Sequence, residues 1–175
     1  MAPTVTASGA YGKAIINIQT LIANSSVFRT WVGAADASTA RESIYIPYIF
    51  EPAANDFPFV AIDEGDHEID MASAGVSANY LAIGAAQIYF VAKISATFQD
   101  NTKSDVQDAY VTFRNAIDGI IQDMATNSGL DAYIQLDSIR KVDATARSIG
   151  QREESGHYYQ VQYEVTFGSG GSPLA

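Results

Sequence analysis

Residues 63–70 read Asp63-Glu64-Gly65-Asp66-His67-Glu68-Ile69-Asp70, the densest run of possible metal ligands in the 175 residues. Oxygen-rich loops hold calcium when their carboxylates fall at fixed offsets around a glycine, and this spacing does not match the EF-hand pattern. The run therefore reads as a solvated acidic turn, with a small metal-dependent enzyme built on it as the alternative. His67 and His157 are the only histidines. A general base needs a nucleophile or a positioned carboxylate within hydrogen-bond reach, and nothing in the spacing puts either histidine beside one. The chain has no nucleophile elbow, no phosphate-binding GxxxxGK[ST] loop and no dinucleotide glycine signature. Gly168-Ser169-Gly170-Gly171 is glycine-rich, but no helix follows to complete a phosphate cradle. The expectation is a protein that is not an enzyme, with no catalytic residue, no cofactor and no metal.

The elements that would position any site are organised around residues 86–129. From Gln87 to Phe98 the chain alternates, with Ile88, Phe90, Ala92, Ile94, Ala96 and Phe98 in one phase and Gln87, Tyr89, Val91, Lys93, Ser95 and Thr97 in the other. A period of two predicts a strand with one buried face. After Gln99-Asp100-Asn101 the period becomes helical, with Val106, Tyr110, Phe113, Ile117, Ile120 and Met124 on one stripe. Strand face and helix stripe should bury each other. Gly119 inside the helix costs roughly 1 kcal/mol against alanine, which close packing on the sheet would offset.

Before this unit, Tyr11, Ala14, Ile15, Ile18, Leu21 and Ile22 predict a helix over 10–23, ended by Asn24-Ser25-Ser26. Val27, Phe28, Trp31 and Val32 form an apolar patch closed by Gly33, and 34–43 suits a helical turn begun by Asp36 or Ser38. Residues 44–50 alternate as a strand, which Pro47 confines to an edge or a bulge. Residues 57–62 and 67–71 suit a hairpin across the acidic turn. Residues 71–79 read as a flap, represented by Ala74, Gly75 and Val76, and Tyr80 to Gly84 opens the long strand through a bulge. After the long helix, a strand runs from Tyr133 toward Val142, a polar connection covers 144–156, and alternation returns over 157–167. The two strands make a hairpin with a long charged tip.

The fold class is α+β: a mostly antiparallel sheet with two main helices packed on one face. Residues 1–9 read as a flexible arm, 10–168 as a single domain and 169–175 as a flexible tail. With 20 acidic and 10 basic residues the formal charge is -10. A nonspecific grip on nucleic-acid phosphates is therefore disfavoured. Cysteine is absent, which excludes disulfides and thiolate metal sites. No apolar run is long enough for a membrane span, and no secretion signal is evident. Tyrosines are the informative surplus: Tyr158, Tyr159 and Tyr163 near the end, Tyr45 and Tyr48 earlier, and Tyr89 on the polar phase of the long strand. Tyrosine suits half-buried surfaces, subunit contacts among them.

The opening helix, the Val27-Phe28 patch, the strand over 44–50, the strand over 87–98 running into the helix over 102–129, and the closing strand over 158–167 together resemble the tail terminator and neck (head-tail joining) proteins of tailed bacteriophages. The resemblance spans 10–168 in layout. It implies a structural virion protein, assembled in the host cytoplasm and located in the tail or neck. Such a subunit closes into a homo-oligomeric ring, a hexamer favoured, which stops polymerisation of the tail tube protein and docks to the head connector or head-completion protein. DNA would be passing cargo in an acidic lumen, and no membrane is involved. A ring contact joins two different patches, and the candidates are an exposed strand edge and the hairpin tip with Arg147, Arg152, Glu153, Glu154 and Tyr158. The alternatives are a tail tube or head-completion subunit, the metal-dependent enzyme above, or a cytoplasmic adaptor.

Overall fold

The structure is a computed structural model that describes residues 10–47, 57–70, 81–95, 103–127, 134–148 and 157–169. Helix α1 (Ala10–Asn24) leads into α2 (Ser26–Val32), a short α3 (Ala37–Ala40) and a 3-10 turn over Arg41–Ser43. Strands β1 (Ile44–Tyr45), β2 (Phe59–Asp70) and β3 (Leu81–Ser95) precede helix α4 (Lys103–Thr126), and β4 (Ile134–Ser148) and β5 (His157–Ser169) follow it. Among the described residues these strands form one sheet in the order β1-β2-β3-β5-β4. Only β1 and β2 run parallel; the β2–β3, β3–β5 and β4–β5 pairings are antiparallel. The α+β class with a mostly antiparallel sheet is what the alternation and helical stripes predict.

The helices lie on one face and share one core with it. Ile15, Ile18 and Ile22 of α1 and Phe113, Ile117, Ile120 and Met124 of α4 are buried against Val60 and Ile62 of β2, Ile88 and Phe90 of β3, and Val161, Val165 and Phe167 of β5. The predicted stripe of α4 is thus buried from Phe113 onward, while Tyr110, one turn earlier, is 44% exposed. The Val27-Phe28 patch is α2 itself. The Ser25 hydroxyl caps it by accepting from the Phe28 amide at 3.1 Å, and Gly33 ends it in the left-handed region at φ 70°. Asp36, in the same manner, accepts from the Thr39 amide at 2.8 Å to start α3. Gly119 serves a helix–helix contact and not, as its sequence context implied, one with the sheet. A Cβ there would come within 3.0 Å of Val27 Cγ1, so the bare backbone lets α2 approach α4.

Three strands differ from expectation. The strand over 44–50 is short: β1 ends at Tyr45, two residues ahead of Pro47, which lacks the amide a ladder needs, and 48–50 lie outside the described residues. The long strand is described to Ser95, so its predicted end at 96–98 also lies outside them. The predicted hairpin at the acidic run is instead one strand, β2, bent by a bulge between Glu64 and His67. A bulge leaves backbone groups without ladder partners, and the Tyr11 hydroxyl supplies them. It accepts from the Gly65 amide at 3.0 Å and directs its proton at Ala85 O, 2.9 Å away, and Gly65 O, 3.3 Å away. Gly65 is required because a Cβ would lie 2.8 Å from Ala85 O. The bulge expected in the long strand near Gly84 is instead on the opposing strand, where three steps from Glu64 to His67 face two from Ala86 to Gly84. Strand β4 continues through Ser148, past its predicted end at Val142, because β5 offers it a full antiparallel partner as far as His157.

Two contacts join distant parts of the chain and set testable expectations. The Ser25 hydroxyl, nearly fully buried, donates to Asp123 Oδ2 at 2.6 Å, pinning the α1–α2 corner to the last turns of α4. Ser25→Ala removes both the cap and this bond and should cost about 1–2 kcal/mol, seen in calorimetry as a thermal midpoint lower by several degrees. Tyr11→Phe strips the bulge of its partner groups and should cost about 1–3 kcal/mol. Hydrogen exchange should then accelerate at the Gly65 amide. Burial, reinforced by Glu64, Asp63 and Asp66, raises the Tyr11 pKa despite the opposing bond from Gly65. The neutral phenol is therefore favoured by folding. The contribution is complete below the ordinary tyrosine pKa and is lost as pH climbs through the raised one, so alkaline unfolding should begin earlier in wild type than in a Tyr11→Phe control corrected for its lower midpoint.

Candidate assembly surface

The face of the sheet turned away from the helices carries a second apolar cluster. Phe59 and Ala61 of β2, Val91 of β3 and Tyr158 of β5 are buried there, with Tyr45, Phe57 and Tyr89 packed around them. The Tyr45 ring meets Phe59 edge-on at 5.2 Å and the Phe57 ring lies 5.4 Å from it. Alternation in β3 thus has two apolar phases over 88–91, where the sequence suggested one buried face and one polar face. Packing of Tyr45, Tyr89 and Tyr158 in this cluster explains part of the aromatic surplus as internal packing. Tyr158, named above as a subunit contact, is 5% exposed in the protomer, so its ring has little area left for a neighbour.

Farther along the same face the cluster gives way to a polar band. Gln87 of β3 donates to Glu164 Oε2 at 3.2 Å, Gln162 donates to Gln87 Oε1 at 3.0 Å, and Arg140 of β4 donates to Glu164 Oε1 at 2.8 Å. Ser138 and Thr166 continue the band at 2.7 Å. The Arg140 guanidinium, and after it the Gln87 amide, hold the Glu164 carboxyl below the usual carboxylate range. This band leads outward to β4, the sheet edge, where Asp137, Ser138 and residues 140–144 are exposed. Arg147 occupies the position opposite Tyr158 near the end of that strand. Arg152, Glu153 and Glu154 of the tip, and Ala74, Gly75 and Val76 of the expected flap, lie outside the described residues.

On the helix side, near the same edge, Tyr110 and Val111 of α4 are exposed beside Tyr159 of β5, whose ring lies 5.2 Å from that of Tyr110. Phe113 stacks on the other side of Tyr159 at 5.8 Å and an interplanar angle of 19°. This shallow depression carries no titratable pair suited to acid–base chemistry. The two histidine positions lie far apart in the sheet. His67 registers with Gly84 and His157 with Ser95, at opposite ends of β3, which separates them by about 35 Å at strand spacing. Among the described residues no three histidine, aspartate or glutamate side chains gather as metal ligands. Within the acidic run Asp63 and Glu64 are consecutive on an extended strand, where alternation sends them to opposite faces. No described helix is long and apolar enough to cross a membrane.

The polar band can be checked directly. Arg140→Ala should raise the Glu164 carboxyl pKa toward its ordinary value in a carboxyl NMR titration. In wild type the depressed pKa contributes stability that is present above the ordinary carboxylate pKa and is lost as pH falls through the folded value; the variant should lose that acid-limb dependence. An unmoved Glu164 titration would show that the bond is not formed in solution.

No protein-family model matches the chain, and no curated protein matches it. Among solved structures it is similar to a chain described as "Virion of native gene transfer agent (GTA) particle", at 14% sequence identity and a TM-score of 0.47, over 94% of this chain and 100% of that one. A likeness at that distance carries no argument about function.

Proposed function

We propose that this chain is a structural virion protein of a tailed bacteriophage, a tail terminator that closes into a ring at the end of the tail tube. The ring, a hexamer by preference, stops tube polymerisation and presents a docking surface to the head connector or head-completion protein. The observation that carries the reading is the inequality of the two sheet edges. On one side β4 presents all fifteen of its residues as an edge. On the other, β1 covers only Val60 and Ala61 of β2, and among the described residues no strand pairs with β2 beyond them. A contact between two edges so unlike is head-to-tail and repeats until it closes, whereas two-fold pairing of either edge with its own copy would stop at a dimer. The layout of elements that resembles the terminator and neck proteins supports the same reading. So does the charge of -10, since an acidic lumen wall repels passing DNA instead of trapping it.

The same unequal edges would also serve a tail tube subunit, which stacks without limit. Negative-stain electron microscopy of the purified protein separates the two: closed rings of one size support the terminator, filaments support the tube, and monodisperse monomers at micromolar concentration would sink both. Removal of 149–154 leaves Ser155-Gly156 as a two-residue connection between Ser148 and His157, short enough for a tight hairpin. The shortened protein should fold with an unchanged thermal midpoint. Loss of rings would put Arg152, Glu153 and Glu154 in the contact, and persistence of rings would remove them from it.

A further inference from the structure

We infer that successive copies of this chain join by adding β4 of one copy, antiparallel, to residues 63–70 of β2 of the next. This rests on the ring reading above and specifies its contact. The direction follows from the topology. Strands β2 and β5 run one way, β3 and β4 the other, so copies related by rotation about an axis along the strands bring β4 beside a neighbouring β2 in antiparallel sense. Such an addition extends the ladder across the two outer edges of the described sheet and carries it from one copy into the next.

Charge fixes which segments meet. Of the chain's 10 basic residues, Arg140, Lys141 and Arg147 fall on β4, while Asp63, Glu64, Asp66, Glu68 and Asp70 fall on β2. The bulges set the phase. On β2, Asp63 registers with Gln87 and Asp70 with Leu81, six ladder positions apart along β3 and in the phase of the face away from the helices. On β4, Arg140 registers with Glu164 and Arg147 with Tyr158, also six ladder positions apart along β5 and in that same phase. Each segment holds one bulge, at 64/67 and at 141/143, so the two spacings are equal. In antiparallel addition Arg147 falls opposite Asp63 and Arg140 opposite Asp70 at the same time. Between them Glu68 falls opposite Asp143, one like-charge pair against two opposite ones. In the other phase Ile69 meets Lys141, and His67 and Glu64 meet Ala144 and Ala146. Cross-strand pairs of opposite charge support pairing, and they set register more strongly than they set affinity.

The test uses the full chain. Because it has no cysteine, a copy with Asp63→Cys and a copy with Arg147→Cys, mixed at assembling concentration under mild oxidation, should give a disulfide-linked dimer on a nonreducing gel, whereas either copy alone should not. Reversing one edge (Asp63→Arg with Asp70→Arg) or the other (Arg140→Asp with Arg147→Asp) should abolish rings at least tenfold above the wild-type assembly concentration. The chain carrying all four changes should recover them. Rings that survive either single-edge reversal, or mixed cysteine copies that never cross-link while wild type forms rings, would overturn this contact and leave the ring standing. A wild type that stays monomeric would overturn the ring itself, and the contact with it. If an edge-reversed chain fails to fold by circular dichroism, the cysteine pair alone decides.

Discussion

The middle of strand β3, residues 88–91, is hemmed in on both edges and both faces, and the remaining architecture follows from that constraint. Its edges are taken by β2 and β5. Ile88 and Phe90 press into the helices, and Val91 is buried on the opposite face. A strand enclosed in this way has no surface with which to meet a ligand or a partner. Whatever the protein binds must be met at the periphery, on the outer strands, the helix surfaces or the connections. With Phe113, Ile117, Ile120 and Met124 buried, packing sets the position of α4, and the Ser25–Asp123 bond pins its last turns.

Much of this was legible from residue spacing. Period two in 87–95 and the three-four spacing of the α4 stripe are direct images of strand and helix geometry, and they appear as β3 and α4. What spacing does not convey is pairing. The run Asp63-Glu64-Gly65-Asp66 has the composition of a turn, and it becomes a bulge because a tyrosine fifty residues upstream in the fold's order of assembly supplies the hydroxyl that a bent backbone needs. Tyr89 and Val91 share their alternation phase with Gln87 and Lys93, yet Phe59 and Tyr158, from two other strands, pack with them in one cluster. Gly119 gives no hint that its neighbour is Val27 and not the sheet.

The candidate contact was legible only in its chemistry. Sequence alone singles out the charged segment around Arg147 and the tyrosines of the last strand. The structure separates them: the Tyr158 ring turns inward, and β4 proves long enough to bring Arg147 onto an edge strand with Arg140. Asp63 and Asp70, like Arg140 and Arg147, are seven residues apart in the sequence, an odd spacing that would put each pair on opposite faces of a regular strand. They share a phase only because each segment holds one bulge, and a bulge has no reliable signature in residue order.

The sheet order has one more consequence, for the order in which the molecule is made. The last strand in the chain, β5, lies between β3 and β4. Until residues 157–169 leave the ribosome, β3 lacks one neighbour and β4 lacks its only one, while α4 has already been synthesised. Helices and the β2–β3 pair are available early; the described sheet becomes a single body only when β5 pairs with both β3 and β4. Long-range pairing of this kind makes completion of the fold a late, slow event in the life of each chain.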